Sequence, residues 1–342
     1  MPKTVTIRDS DEHFQVNDGE YVLDAALRQG HALPYGCQSG GCGACRVRLL
    51  QGSLLYEDDV APPALSDAER AAGYALICTA EAATDLTLEL EELPNRHAIR
   101  VRNLPARVSR KKLLCHDVMA LQLQLPGSAR LDYLAGQYID ILLPDGGRRS
   151  FSIANAPGTQ PTLELHVRKI ADGQFTERVF SDLPEQSLLR FEGPLGGFYL
   201  RESDRPLILM AGGTGFAPIK ALMEHLMLSR SSRQIHLYWG ARAQRDLYLH
   251  DLVTQWARER PNIRYIPVLS DVDGNGEWRG RTGWVHEAVL KDLPDLSGFD
   301  AYLSGPPPMI CAARSDFAAA GLPAGQLYYD SFDFFWEQGS AV

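Results

Sequence analysis

The sequence predicts a multidomain chain: a small mixed-strand segment around a cysteine loop, then an antiparallel β-barrel, then an α/β unit with a parallel sheet. Three observations predict it. Four of the six cysteines fall within the first 78 residues. Short alternating apolar runs with turn signals recur at regular spacing through the middle of the chain. From about residue 204 onward, apolar runs of strand length are separated by helical stretches, the pattern of strands joined by crossover helices. The expected bounds are 1–93, a linker over 94–102, then 103–203 and 204–342.

At 342 residues there is room for two or three domains. The composition, 45% hydrophobic and 23% charged, reads as globular. No run of about 18 apolar residues offers a membrane span, and the start, MPKTVTIRDSDEHF, lacks the layout of a signal peptide. A cytoplasmic location is therefore expected. The net charge of −9 is unevenly placed, with −10 on residues 1–93 and +1 on the remainder. That argues against nucleic acid, which calls for a basic footprint. It suits either docking on a basic partner surface or a plain solvated acidic face.

In the first block, alternation at Thr4–Arg8 and Phe14–Val16 predicts strands, and Tyr21–Gln29 a helix ended by Gly30. Further strands are expected at Arg46–Leu50 and Leu86–Leu90, an order that resembles a β-grasp. The loop between holds Cys37, Cys42 and Cys45 in the pattern C-x4-C-x2-C, and Cys78 follows after 32 residues. Its small residues let the backbone wrap closely and point N–H groups at cluster sulfurs. This is the spacing of a plant-type [2Fe-2S] cluster. A structural zinc is the alternative, but zinc sites usually pair two hooks, and here the fourth cysteine is distant and alone. Cys115, on an expected barrel strand, and Cys311, on a helix of apolar spacing, are read as small buried hydrophobes.

The second block places strands at Met119–Leu125, Tyr138–Leu143, Phe151–Ile153, Leu163–Arg168 and Leu188–Glu192. Taken alone, Arg149-Ser150-Phe151-Ser152 fits an ordinary strand with an exposed arginine. As a site, Arg149 would pair with a pyrophosphate oxygen, Ser152 would present its hydroxyl to a flavin edge, and Phe151 would pack beside the cofactor. Its neighbours strengthen the case. His166-Val167-Arg168 lies on a strand, Gly173-Gln174-Phe175-Thr176 opens a helix suited to phosphate, and a glycine-rich turn spans Gly193–Phe198.

In the third block, strands are expected at Leu207–Met210, Ile235–Trp239, Arg264–Leu269 and Asp300–Leu303. The first leads into Gly212-Gly213-Thr214-Gly215-Phe216-Ala217-Pro218 and a helix over Ile219–Leu228. Glycines between a strand and a helix let a pyrophosphate sit on the helix N-terminus. Pro218 stands where the usual fingerprint has a third glycine and suits the first helical turn. The second strand ends near Arg242 and Arg245, which would take a 2′-phosphate or simply be solvated, so NADH and NADPH both remain open. Ser304-Gly305-Pro306 forms a stiff turn able to position a nicotinamide. Of the C-terminal aromatics, Phe332 is expected to cover the flavin face and the others to pack in a core.

Together these residues resemble the ferredoxin–NADP reductase superfamily with an N-terminal plant-type ferredoxin domain. The likeness runs from CQSGGCGAC through RSFS and GGTGFAP to SGPPPM and YYDSF. It is similar both to reductase components of aromatic-ring dioxygenases and to CDP-6-deoxy-3,4-glucoseen reductases. The resemblance implies FAD on Arg149, Phe151 and Ser152, and the dinucleotide, NADH before NADPH, on Gly213, Thr214 and Gly215. Ser304 replaces the family's frequent cysteine, and Phe151 its commoner tyrosine.

The expected activity is electron transfer from NAD(P)H through FAD and a [2Fe-2S] cluster to a partner protein. The partner expected first is a Rieske-type oxygenase, and the deoxysugar dehydratase system second. Such chemistry is a matter of placing cofactors, so no acid–base triad is expected. The competing classes are a zinc-holding nucleotide-binding module and a free flavin reductase, which would not need four cluster cysteines.

Overall fold

A computed structural model describes residues 2–10, 12–31, 33–35, 38, 40–41, 43–90, 101–127, 129–159, 161–171, 173–271 and 278–331. The chain forms two compact units, Met1–Ala98 with Asp330–Val342, and Ile99–Tyr329.

The first unit contains strands β1 (Lys3–Ile7) and β2 (His13–Val16), helix α1 (Val22–Arg28), then β3 (Arg46–Gln51) and β4 (Leu54–Tyr56). Helix α2 (Asp67–Ala71), β5 (Tyr74–Leu76), β6 (Ala80–Ala82) and β7 (Leu86–Glu89) follow. The main sheet has the order β2-β1-β7-β3-β5, and β4 pairs with β6 in a separate ribbon. β1 and β7 run parallel, while β1–β2, β3–β7 and β3–β5 are antiparallel. This is the β-grasp arrangement. Val5, Ile7, Phe14 and Val16 alternate inward, and α1 buries Val22, Leu23, Ala25 and Ala26.

Four short elements of this unit have no counterpart in the sequence reading: α2, β4, β5 and β6. None exceeds five residues, too few for a period to emerge. α2 does carry a local signature, since the Ser66 hydroxyl accepts from Glu69 N while the Glu69 carboxylate accepts from Ser66 N.

The second unit begins with the barrel. β8 (Arg102–Cys115), β9 (Val118–Gln124), β10 (Tyr138–Leu142), β11 (Arg148–Ser152), β12 (Thr162–Arg168), helix α3 (Gln174–Phe180) and β13 (Leu188–Leu195) occur in chain order. The strands assemble antiparallel as β11-β10-β13-β8-β9-β12, and an Ile153–Leu165 bridge closes the ring. Ile139, Ile141, Leu121, Leu165, Val167 and Phe191 fill its interior. Only the end of β8, at Cys115, is legible in the sequence, because Pro105 and the Arg110-Lys111-Lys112 run obscure the rest.

The α/β module follows as β14 (Leu207–Gly212), α4 (Phe216–Leu228), β15 (Ile235–Ala241), α5 (His250–Glu259), β16 (Ile263–Leu269) and β17 (Arg281–Thr282). α6 (Val285–Asp292), β18 (Asp300–Gly305), α7 (Pro307–Ala319) and β19 (Leu327–Ser331) complete it. The sheet order is β17-β16-β15-β14-β18-β19, with β14 parallel to both β15 and β18. The order reverses at β14, so the carboxyl ends of β14 and β18 flank the crevice where such sheets bind ligands.

The two remaining cysteines depart from expectation. Cys311 is exposed on α7, because the helix turns its buried face to Ile310, Ala313 and Phe317. Cys115 is half-buried at a hairpin end, and its thiol donates to Asp117 Oδ1 at 3.2 Å.

The capping box gives a direct test. Ser66→Ala is expected to lower the stability of the first unit by about 1 kcal/mol, read in urea as earlier loss of the visible absorption of the bound cluster. Coincident midpoints would show that the cap contributes nothing.

Candidate functional site

At the crevice, backbone meets backbone. A Cβ on Gly215 would lie 2.2 Å from Ser304 O, and one on Gly212 would lie 2.6 Å from Met309 Sδ and 2.9 Å from Pro306 Cδ. Gly213 has φ +54°, a region L side chains rarely adopt. The structure thus brings Gly213, Thr214 and Gly215 together with Ser304, Gly305 and Pro306. The Trp239 indole donates to Gly213 O at 3.0 Å, and its ring stacks on Phe216 at 3.9 Å, fixing the loop from below. Ser304 is fully buried and its Oγ has no hydrogen-bond partner among the described residues. Pro218 falls in the first turn of α4, as its chemistry favours.

Arg242 lies just beyond β15, whose Gly240 is in register with Gly212. Its side chain is exposed, as is that of Arg245, 77% accessible and 4.0 Å from Asp246.

On the barrel, Arg149 is exposed and donates to Arg148 O at 2.7 Å, while Ser152 is buried opposite Tyr138. Phe151 packs on Phe175, ring centroids 5.5 Å apart. Ser150 is committed to Asp140, donating to its carboxylate at 2.6 Å. The Thr176 hydroxyl closes its own turn, donating to Gly173 O at 3.0 Å and accepting from Ile170 N at 3.2 Å. A Cβ on Gly173 would sit 2.5 Å from that hydroxyl. Val167 points into the barrel core, leaving only its backbone for a ligand. Arg168 reaches the nucleotide loop: its Nε lies 3.0 Å from Asp117 Oδ2, and its Nη1 is 2.8 Å from where a Gly213 side chain would begin.

His166 turns away from solvent altogether. Its side chain has no exposure, with Nε2 2.9 Å from Glu164 Oε1 and Nδ1 3.0 Å from Tyr248 Oη. Burial holds the imidazole below its ordinary pKa, outweighing the opposing pull of Glu164. Burial also pushes the Tyr248 hydroxyl well above its usual range. A neutral ring between a phenol and a carboxylate donates from Nε2–H and accepts at Nδ1. Burial alone would raise Glu164, but the His166 hydrogen bond and the nearby Lys220 charge outweigh it and bring the carboxyl to about 2.

In the cysteine loop, Cys45 and Cys78 are 1% and 3% exposed. Cys37 and Cys42 lie outside the described residues, as does Phe332. A Cβ on Gly40 would meet Pro62 Cβ at 2.6 Å, and Ala64 N donates to Gly40 O at 3.2 Å, so residues 62–64 clasp the loop. Thr79, next to Cys78, has a buried Oγ1 with no hydrogen-bond partner among the described residues.

Three families match in series: the 2Fe-2S iron-sulfur cluster binding domain over residues 5–83, the oxidoreductase FAD-binding domain over 105–199, and the oxidoreductase NAD-binding domain over 209–315. The chain is 40% identical to the CDP-6-deoxy-L-threo-D-glycero-4-hexulose-3-dehydrase reductase of Yersinia pestis, over 97% of this chain and 99% of that one. The chain belongs to the ferredoxin–NADP reductase superfamily.

The superfamily likeness extends to the terephthalate 1,2-dioxygenase reductase component 1 of Comamonas, 34% identical over 97% and 98% of the two chains. Among solved structures, the Amycolatopsis cytochrome P450 reductase GcoB superposes with a TM-score of 0.77 at 30% identity, covering 96% and 98%. As a member of this superfamily the chain is an NAD(P)H-dependent oxidoreductase that uses FAD and a [2Fe-2S] cluster. The residues present fit those groups. The partnerless Ser304 hydroxyl and the cleared backbone at 212–215 suit a nucleotide, and the partnerless Thr79 hydroxyl and tight glycines beside buried Cys45 and Cys78 suit a cluster.

The sequence reading missed Lys220, Glu164, Glu224 and Tyr248, which surround His166. One signal was available: Lys220 interrupts the apolar run Phe216-Ala217-Pro218-Ile219 and Ala221-Leu222-Met223, and a lysine there is buried only if paired.

Gly215→Ala has to displace the Ser304 backbone. We expect FAD content to be retained and the rate of flavin bleaching by NADH to fall about 10-fold or more, measured by anaerobic stopped flow. A wild-type rate would separate this loop from the donor. Glu164 generates a pH dependence. Its folded pKa of about 2 lies below the ordinary 4.5, so its contribution is present above the ordinary value and is lost as pH falls towards 2. The shift corresponds to about 3 kcal/mol. Acid titration of stability should therefore be shallower in Glu164→Gln; parallel curves would contradict it.

Proposed function

We propose that hydride enters at the crevice between β14 and β18, that electrons pass to the flavin on the barrel, and that they leave singly from the cluster to a separate catalytic protein. The observation that carries this reading is the convergence of the glycine loop, the Ser304–Pro306 turn and Arg168 of β12 at one place, with buried cysteines in the first unit.

The residue roles follow the chemistry. Cys37, Cys42, Cys45 and Cys78 hold the cluster. Arg149 neutralises the flavin pyrophosphate, Ser152 meets the ring edge, Phe151 and Phe175 wall it, and Phe332 covers a face. The backbone of His166, Val167 and Arg168 borders the ring, and Gly173 with Thr176 shapes the adjoining turn. Gly213, Thr214 and Gly215 seat the donor's pyrophosphate, and Ser304, Gly305 and Pro306 position its nicotinamide. When bound, the flavin supplies the conversion of a hydride pair into single electrons. NADH is the donor the family resemblance favours; Arg242 and Arg245 are exposed beyond β15, where either would meet a 2′-phosphate if NADPH were used. We place the domain limits at 1–93, 103–203 and 204–342, and the protein in the cytoplasm; no helix among the described residues is long and apolar enough to cross a membrane.

Two acceptors come into question. A Rieske-type aromatic-ring oxygenase is supported by relatives that serve oxygenases, including that of terephthalate. A dehydrase acting on a CDP-linked 6-deoxy-4-hexulose is favoured by the 40% identity to the Yersinia reductase. The test is a visible spectrum of the purified protein, anaerobic titration with NADH and then NADPH, and turnover with each acceptor protein. Flavin and iron–sulfur bands that bleach with NADH, and turnover of one acceptor at least about tenfold above the other, are expected. A colourless protein after cofactor reconstitution would refute the electron path, and turnover of neither acceptor would refute both partner assignments.

A further inference from the structure

Helix α4 begins at the nucleotide loop, and one turn into it stands Lys220, 4% exposed on an otherwise apolar stretch. Its ammonium has three protons and three oxygen neighbours. It donates to Ala154 O at 2.9 Å and to Glu224 Oε1 at 2.7 Å, and lies 3.2 Å from Glu164 Oε1. Glu224, one turn further along the helix, accepts from Ala156 N at 2.9 Å through its other oxygen. Ala154 and Ala156 belong to the segment that leaves β11, the strand carrying Arg149–Ser152. Glu164 belongs to β12, which ends at Arg168 beside Gly213. One helix turn therefore ties the donor loop to both barrel strands assigned to the flavin.

Ile219, Leu222 and Met223 of the helix share an apolar cluster with Val118, Ala135 and Phe198 of the barrel module, but the seam is not filled at the lysine. A cavity of about 310 Å³ lies here, lined by Lys220, Glu164 and Glu224 together with Arg110, Lys112 and Leu252. In a close-packed seam, interdigitating side chains fix the orientation of two parts. Beside a void that task falls to directional bonds, and the lysine and two carboxylates supply them.

We infer that Lys220 and Glu224 are positioning residues for hydride transfer, fixing the donor loop against the flavin strands. The inference rests on the assignment of those two halves proposed above. Neither side chain is required to seat the nucleotide, which the loop backbone does. Both set where the seated nicotinamide stands relative to the flavin, and a misplacement of about 1 Å costs on the order of 100-fold in rate.

The test uses Lys220→Met and the paired Lys220→Met/Glu224→Met, each prepared with FAD and cluster bound. The single variant leaves two buried carboxylates without their lysine, whereas the paired one leaves only Glu164, which keeps its His166 partner, and preserves side-chain volume. Anaerobic flavin bleaching is followed against NADH concentration, and steady-state turnover is repeated with NADH deuterated at the transferred position. We expect the limiting bleaching rate to fall about 10- to 100-fold with half-saturation changed less than about threefold. The deuterium isotope effect on turnover should rise as hydride transfer becomes limiting. FAD-replete variants with a limiting rate within about twofold of wild type would overturn the inference, as would a loss confined to half-saturation. Failure of both variants to retain FAD would assign the network to folding and overturn it too. If NADH does not bleach the wild-type flavin, the assignment of the two halves fails instead.

Discussion

The contact on which the nucleotide half depends is backbone against backbone. Where β14 and β18 end, Gly215 approaches Ser304 so closely that a single methyl group has no room. That approach accounts for the glycine spacing after β14, the stiff Gly305-Pro306 turn after β18, and the aromatic platform of Trp239 and Phe216 beneath them. It also brings the glycine backbone to the start of α4 with the Arg168 guanidinium beside it, a setting that suits an anionic pyrophosphate. The parallel sheet creates this place by topology alone, since strand order reverses at β14.

The barrel answers with buried charge. Taking a lysine and two carboxylates out of water is costly unless each finds partners. Here every Lys220 proton has an oxygen neighbour, and Glu164 is held ionised by His166 and Lys220 despite burial. The apolar cluster that α4 shares with Val118, Ala135 and Phe198 limits sliding by packing. The satisfied polar network adds to it, because any shift leaves a buried charge without a partner.

Legibility in the sequence followed the range of the interactions. The glycine loop and the long alternating strands are local patterns, and each appears in the fold where those patterns put it, within one to three residues at strand ends. Short elements such as β4 and α2 carry too few residues for a period. β8 was obscured by Pro105 and its cationic run, which the barrel tolerates because Pro105, Arg110 and Lys112 are exposed and Lys111 donates to Leu183 O. His166 shows a different limit. Its position beside Val167 and Arg168 suggested a ligand contact, yet its ring is spent on Glu164 and Tyr248, 82 residues away in the case of Tyr248. A strand's alternation says which side chains share a face, and says nothing of what a later helix brings to that face.

These constraints make the chain's contribution one of geometry. Hydride transfer between two bound rings needs no protein acid or base in the transferring step, so selection of residues acts on distance and orientation. The polar residues near the crevice fit that account. Ser304 offers a small hydroxyl, Arg168 is tethered by Asp117 against the loop, and His166 is kept neutral and fully bonded. A titrating group free to move protons at this seam would couple electron entry to pH without need. The network instead places its one strongly shifted carboxylate far below neutrality, so Glu164 stays ionised and bonded to His166 and Lys220 around neutral pH.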